Sequence, residues 1–332
     1  MTAALTPDST AVRVIATGAD PAAWCAEHTD EVLRAVHHEG AVVLRGADES
    51  VPGSVATVRD ALDLAPVTSR DEFAERDDLG DTVYGAPLWP GDREMCVHHE
   101  RSYSPTVPGL LVMACLQRPD TGGDTLLADT AGMLSALPPE LVGRFTEQGW
   151  QLVRHYRPFF GINWTTAFGT RDPDEVERIC AELAVSCRWL DDGALRTAGR
   201  RPAIVRHPET GADSWFNQIT FFSSWSVDQP ERGILTSTFG QHGLPLDTRF
   251  GDGSPLAEDQ YDALMAGYAA VTRRHRWQPG DVLLIDNIGT AHGRTPYIGT
   301  RRMAVAPCRP VALTDLGSPV EPADDTLDGA PA

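Results

Sequence analysis

Three side chains in this 332-residue chain have the donor types of a mononuclear metal centre: His98 and Glu100 in VHHERSY, and His292 in AHGRTPYIGTRR. Two imidazoles and one carboxylate on adjacent corners of an octahedron leave three corners open, the arrangement of oxygen-activating ferrous centres. Spacing chooses between the neighbouring histidines. On an extended strand, residues two apart share a face and adjacent ones oppose. His98 and Glu100 can therefore chelate together while His99 faces away. An upstream copy, His37 and Glu39 in AVHHEG, falls at the end of an amphipathic helix expected over 21–38. Residues two apart on a helix point about 200° apart and cannot share an ion.

The elements that must position these ligands follow from pattern and punctuation. After the helix, Gly40 leads into a short buried strand, AVVLRG, and a second helix is expected near 54–62. Residues 66–93 are polar and broken by Pro87, Pro90 and Gly91, and read as loop. Strands are expected in CVHHE, LLVMACLQ (110–117), GGDTLLAD (122–129), WQLVRHY, AIVRH, SWFNQ, DVLLIDN and RMAVAP. Helical stretches fall at TAGMLSAL, PELVGRF, 172–184 and 257–275; the third has Asp172 as cap, Pro173 in its first position and acids in its first turn. Many short strands, few β/α alternations and no dinucleotide-binding glycine fingerprint point to a mainly β architecture with flanking helices around a jelly-roll, or double-stranded β-helix, core. Such a core brings distant strands to one mouth, as joining His98 to His292 requires.

Composition narrows the chemistry. The chain has no lysine, so a Schiff base, pyridoxal phosphate attachment and a P-loop lysine are excluded, and a carboxylate cosubstrate would be held by arginine. A net charge of −19 argues against a nucleic-acid or anionic-membrane surface, and no apolar run approaches the length of a membrane span. Cys25, Cys96, Cys115, Cys180, Cys187 and Cys308 lack Cys-x-x-Cys spacing, which fits a reducing cytoplasm rather than a disulfide framework or structural zinc. One domain is expected over 1–332, ordered over about 11–310, with no signal peptide at the start and an acidic Pro/Gly/Ala-rich tail over about 311–332.

In this order and spacing, GAVVLRG, HHERSY, GGDTLLAD, WFNQ and AHGRTPYIGTRR resemble the taurine dioxygenase-like family of Fe(II)- and 2-oxoglutarate-dependent oxygenases. They are most similar to its His-x-Glu subgroup, which includes clavaminate synthase and the syringomycin-cluster aspartyl hydroxylase type. The resemblance covers roughly residues 35–307. It implies Fe(II) on His98, Glu100 and His292, with 2-oxoglutarate and O2 as cosubstrates. It places Thr125 and Arg302 on the distal carboxylate of 2-oxoglutarate, with Arg294 as a second basic candidate and Arg301 as the alternative if the register is off by one. Tyr103, Trp215, Phe216, Asn217 and Gln218 match positions near the substrate mouth, while His155 and His207 read as structural.

The implied activity is hydroxylation of an unactivated C–H of an amino acid or amino-acid-derived small molecule in natural-product biosynthesis. Glu100 stands where related halogenases have a small residue, so halogenation is not expected. RHYRPFFGINW (154–164) departs from the Tyr-x-Arg-Asn pattern of carrier-protein-linked members, which disfavours a tethered substrate, and Ala306 replaces an arginine of taurine dioxygenase itself, which disfavours a sulfonate. Rival readings are the same oxidation ending in desaturation, epoxidation or cyclisation, a zinc hydrolase with an activated water, and a non-catalytic binding protein. Oligomeric state is open at this level.

Overall fold

Gly40, in the left-handed region at φ 74°, ends the helix Thr29–Glu39 and turns the chain directly into the strand Ala41–Arg45. The computed structural model describes residues 12–323 except 48, 50, 69–72, 75, 88, 159, 192, 241, 242 and 318. Ala41–Arg45 joins a five-stranded sheet ordered Arg13–Ala16, Ala41–Arg45, Val282–Asp286, Thr106–Gln117, Arg302–Ala312. Its first pair is parallel and the rest are antiparallel.

A second sheet is antiparallel throughout, in the order Thr272–His275, Thr125–Asp129, Thr290–Arg294, Met95–His98. Alternation decides what each face of the first sheet does. Val43, Leu111, Leu283, Ile285 and Val305 pack inward against Leu127 of the second sheet and Trp277, just past its strand Thr272–His275. Val42, Leu44, Val112 and Leu284 pack outward against the helices Pro21–Glu27, Thr29–Glu39 and Pro52–Ala61. Fully burying such a side chain stabilises by about 1.5–3 kcal/mol, so the facing of each strand is strongly set. A third sheet pairs Leu246–Phe250 with Trp150–Tyr156 and Leu195–Arg201 beside the second sheet's outer core.

Three expectations are corrected. The helix over 21–38 is two helices broken at His28. The helix over 257–275 stops at Val271, because Thr272–His275 pairs with Thr125–Asp129 and the sheet claims those backbone groups. The stretch after Pro310 is not wholly tail. Leu313 and Leu316 are buried against Val107 and Phe216, and Glu321–Pro322 pairs with Arg200 and Gly199. The remaining residues of that stretch, 324–332, and the start of the chain, 1–11, lie outside the described residues. Among the described residues, no helix is long and apolar enough to cross a membrane.

Candidate metal centre and cosubstrate pocket

His98 is the last residue of the strand Met95–His98, and it pairs directly across the sheet with His292. Their rings lie 4.6 Å apart. The chain enters a turn at Glu100, and Glu100 reaches the site beside His98 while His99 is held on Asn287 O and Trp215 O. Ligand atoms of His98, Glu100 and His292 all lie within 4.8 Å of one another, with all three residues buried. His98 Nδ1 faces Cys96 O at 2.9 Å, which fixes the proton there and leaves Nε2 its lone pair. His292 Nε2 stands 3.9 Å from Glu100 Oε2, and its Nδ1 is buried with no hydrogen-bond partner among the described residues.

Protonation suits ligation. Burial, then the neighbouring His98, holds the His292 imidazole down at about 3. Burial also lowers His98. Burial works against the Glu100 carboxylate, but the Arg76 charge and the two imidazoles outweigh it and hold Glu100 at about 2. At neutral pH the set is two neutral imidazoles and one carboxylate, the donor set that ferrous iron takes with open positions.

A second trio, His37, His207 and Asp286, also brings ligand-type atoms together. Its distances tell it apart. Donors bonded to one ion at about 2.1 Å sit roughly 3.0–3.4 Å from each other. His37 Nδ1 and His207 Nε2 instead approach the same Asp286 oxygen at 2.5 and 2.7 Å, which are hydrogen-bond lengths. The far nitrogens are already acceptors. Arg309 donates to His37 Nε2, and Glu209 N and Thr210 N donate to His207 Nδ1. Both imidazole protons therefore point at Asp286. Its other oxygen accepts from Ile288 N and Gly289 N, shaping the turn into the strand that bears His292.

Asn287, next in that turn, ties the ligand segments together. Its Oδ1 accepts from Glu100 N at 2.7 Å, and its Nδ2 donates to Glu100 O and Pro108 O. His99 spans Asn287 O and Trp215 O from behind. Asp286→Asn is expected to cost about 3 kcal/mol, since a buried, multiply bonded acceptor loses its charge. The hydrogen bonds from His207 and His37 hold the Asp286 carboxyl well below its ordinary range against burial, which acts the other way. Its contribution is then complete above about pH 4 and lost as pH falls below that. Chemical denaturation from pH 3 to 7 should show a shallower acid loss in Asp286→Asn than in the parent chain.

A cleft of about 210 Å³ joins the triad to Thr125 and the arginines. Trp277 Nε1 donates to Thr125 Oγ1 at 3.0 Å, so the hydroxyl proton of Thr125 is left to donate elsewhere. Arg301 is half-buried in the same cleft, with Nε on Gly123 O at 3.1 Å, and desolvation pulls its pKa down to about 10 without discharging it at neutral pH. Among the described residues no carboxylate pairs with Arg301. Gly123 has φ +74°, and a Cβ there would lie 2.7 Å from Pro119 Cγ and 3.1 Å from Arg301 Cδ, so the second glycine of GGDT is required by the turn and by the approach of Pro119, and a side chain there would also crowd Arg301.

Arg302 is placed differently from the expectation. It borders the cleft but is exposed, because Met303 and Val305 take the inward face and strand alternation turns Arg302 to the other side. Arg294 is buried, but its guanidinium donates to Pro90 O and Arg93 O and stacks on Tyr297, so it clasps the 90–93 loop.

Tyr103, Trp215, Phe216, Asn217 and Gln218 are not brought to the cleft. Trp215 is fully buried, edge-on to Phe145, and Phe216 packs beside His99. Asn217 donates to Ala203 O and caps Ile219 N, Gln218 accepts from Ser102, and Tyr103 packs on Phe222. These five belong to the packing behind the ligand segment. His155 is structural as expected, with Nδ1 on Leu244 O. Residues around the cleft that the sequence reading missed are Arg76, Trp89, Phe221 and Trp277. None has a period or spacing that would mark it; Arg76 and Trp89 come from the 66–93 loop.

Residues 2–306 match the family model described as "Taurine catabolism dioxygenase TauD, TfdA family". The chain belongs to this family. As a TauD/TfdA-family protein it is an Fe(II)/2-oxoglutarate-dependent dioxygenase. Among relatives, the TauD/TfdA-family chain is 31% identical to the dapdiamide synthesis protein DdaC of Enterobacter agglomerans, over 85% of each. It is 26% identical to a clavaminate synthase-like protein of Arabidopsis thaliana, over 82% of this chain and 83% of that one. A crystal structure of a taurine dioxygenase from Burkholderia xenovorans superposes with a TM-score of 0.51 at 16% identity, covering 90% of this chain and 87% of the other, which supports the shared fold.

Proposed function

We propose that this chain is a single-domain oxygenase with a double-stranded β-helix core that hydroxylates an amino acid or amino-acid-derived small molecule in natural-product biosynthesis. Ferrous iron is held by His98, Glu100 and His292. The distal carboxylate of 2-oxoglutarate is held by Arg301 and the Thr125 hydroxyl. The observation that carries the reading is the half-buried Arg301, with no salt-bridge partner among the described residues, in the same cleft as a carboxylate and two neutral imidazoles. A buried cation without a counter-charge is costly, and a diacid chelated at the triad would supply one. The natural-product assignment is supported by the relative named for dapdiamide synthesis and the one named clavaminate synthase-like.

Bound iron with 2-oxoglutarate supplies O2 activation and the oxidising power for C–H cleavage. The protein's own part is positional. The paired strands fix the two imidazoles, Asn287 fixes the backbone of Glu100, and Trp277 turns the Thr125 hydroxyl toward the pocket. Trp89 and Phe221, packed on each other with Phe221 against His98, keep an apolar wall beside the ligands that excludes water. Anaerobic addition of Fe(II) and then 2-oxoglutarate should give a weak visible charge-transfer band. Screening free amino acids should give succinate coupled to a product heavier by one oxygen atom. Absence of the band, or zinc as the metal in freshly purified protein, would overturn the reading.

A further inference from the structure

The two oxygens of Glu100 have different neighbours. Oε1 accepts from an Arg76 guanidinium nitrogen at 2.7 Å, whereas Oε2 is the oxygen that faces His292 Nε2. Both side chains are almost out of solvent, 9% exposed for Arg76 and 6% for Glu100. Arg76 is delivered by a segment that is pinned nearby. Phe73 sits edge-on to Phe221 and Phe222, Leu79 N donates to Val83 O, and Tyr84 exchanges backbone hydrogen bonds with Val305 at 2.8 Å. Phe221 in turn lies against the His98 ring at 4.4 Å.

We propose that Arg76 is a positioning residue that restricts Glu100 to ligation through Oε2 alone, keeping three coordination corners open. This rests on the ferrous 2-oxoglutarate reading above. Two histidines and a one-oxygen carboxylate occupy three of six corners, and a chelating 2-oxo acid with O2 needs the other three. A carboxylate bound through both oxygens takes a fourth corner and leaves no place for O2 beside the chelate. Glutamate is at particular risk, because its extra methylene lets both oxygens swing onto the ion. A charge-assisted hydrogen bond from a fixed guanidinium occupies Oε1 and blocks that swing.

The test uses the full chain under nitrogen, with Arg76→Gln and Arg76→Lys beside the parent. Fe(II) content, the 2-oxoglutarate dissociation constant and the charge-transfer band are measured, and Co(II) absorption reads coordination number. Arg76→Gln should keep its metal but bind 2-oxoglutarate about tenfold or more weakly, with a diminished band and a changed Co(II) spectrum. Arg76→Lys should recover part of both. Parent-like values within twofold for Arg76→Gln would overturn the proposal, as would loss of the metal itself with no recovery in Arg76→Lys. If Arg76→Gln fails to fold by circular dichroism, an intermediate dissociation constant in Arg76→Lys supports the proposal and a parent-like one overturns it. Absence of the band in the parent chain would show before any variant was made, and would remove the oxygenase reading and this proposal together.

Discussion

Glu100→Ala is expected to reduce succinate formation by roughly a thousandfold or more, because about 4 kcal/mol of metal-dependent stabilisation goes with the only anionic ligand. The charge-transfer band should vanish and bound iron should fall on metal analysis. A second effect belongs to the metal-free protein. Glu100 and Arg76 form a nearly buried pair, and removing one partner of such a pair costs about 3–5 kcal/mol. Thermal melts of the apo-protein should therefore drop for Glu100→Ala. Glu100→Gln separates the two effects: it keeps an oxygen for Arg76 and so keeps more of the melt, yet it lacks the charge to ligate and should be as inactive as the alanine variant. Full activity in either variant would remove Glu100 from the centre.

Arg301→Gln carries the second large effect. Losing a charge-assisted contact to the distal carboxylate costs about 2–3 kcal/mol, or roughly a 30- to 150-fold rise in the 2-oxoglutarate KM. Arg302→Gln should change KM by less than about twofold, as an exposed charge does. The apo-protein should behave in the opposite sense. Arg301 is a largely desolvated cation with no carboxylate in ion-pair range among the described residues, Asp124 acting only from further off, so Arg301→Gln should melt no lower than the parent. Steady-state kinetics at varied 2-oxoglutarate, with apo melts alongside, tests both signs. The reverse pattern, with Arg302 sensitive and Arg301 silent, would move the cosubstrate contact by one residue.

The difference between those two arginines shows where sequence reading runs out. The three candidate metal ligands could be picked out because their type is diagnostic and the strand period selects His98 over His99; the structure pairs His98 with His292. The facing of Arg301 and Arg302 was not legible, because neighbours on a strand face opposite ways and the choice follows from which side Met303 and Val305 bury, which nothing in the local composition announces. Trp215 to Gln218 misled for another reason. A polar residue satisfying buried backbone, as Asn217 does with Ala203 and Ile219, has the same letters as one that touches a ligand. Arg76 was invisible because it reaches Glu100 from an aperiodic loop, where no pattern links position to direction. The sheets themselves were largely readable from apolar runs and turn residues. The break at His28 and the early end of the helix at Val271 depend on partners distant in sequence.

The pairing of His98 with His292, and the grip of Asn287 on Glu100 across 187 positions, set an order of events in the cell. A ribosome must have released nearly the whole polypeptide before the first ligand pair can meet its third member. On the proposed ligand set, a nascent chain holding only the N-terminal motif would have no cage to load, so iron would enter only the finished, folded product, and truncated translation products should accumulate free of metal.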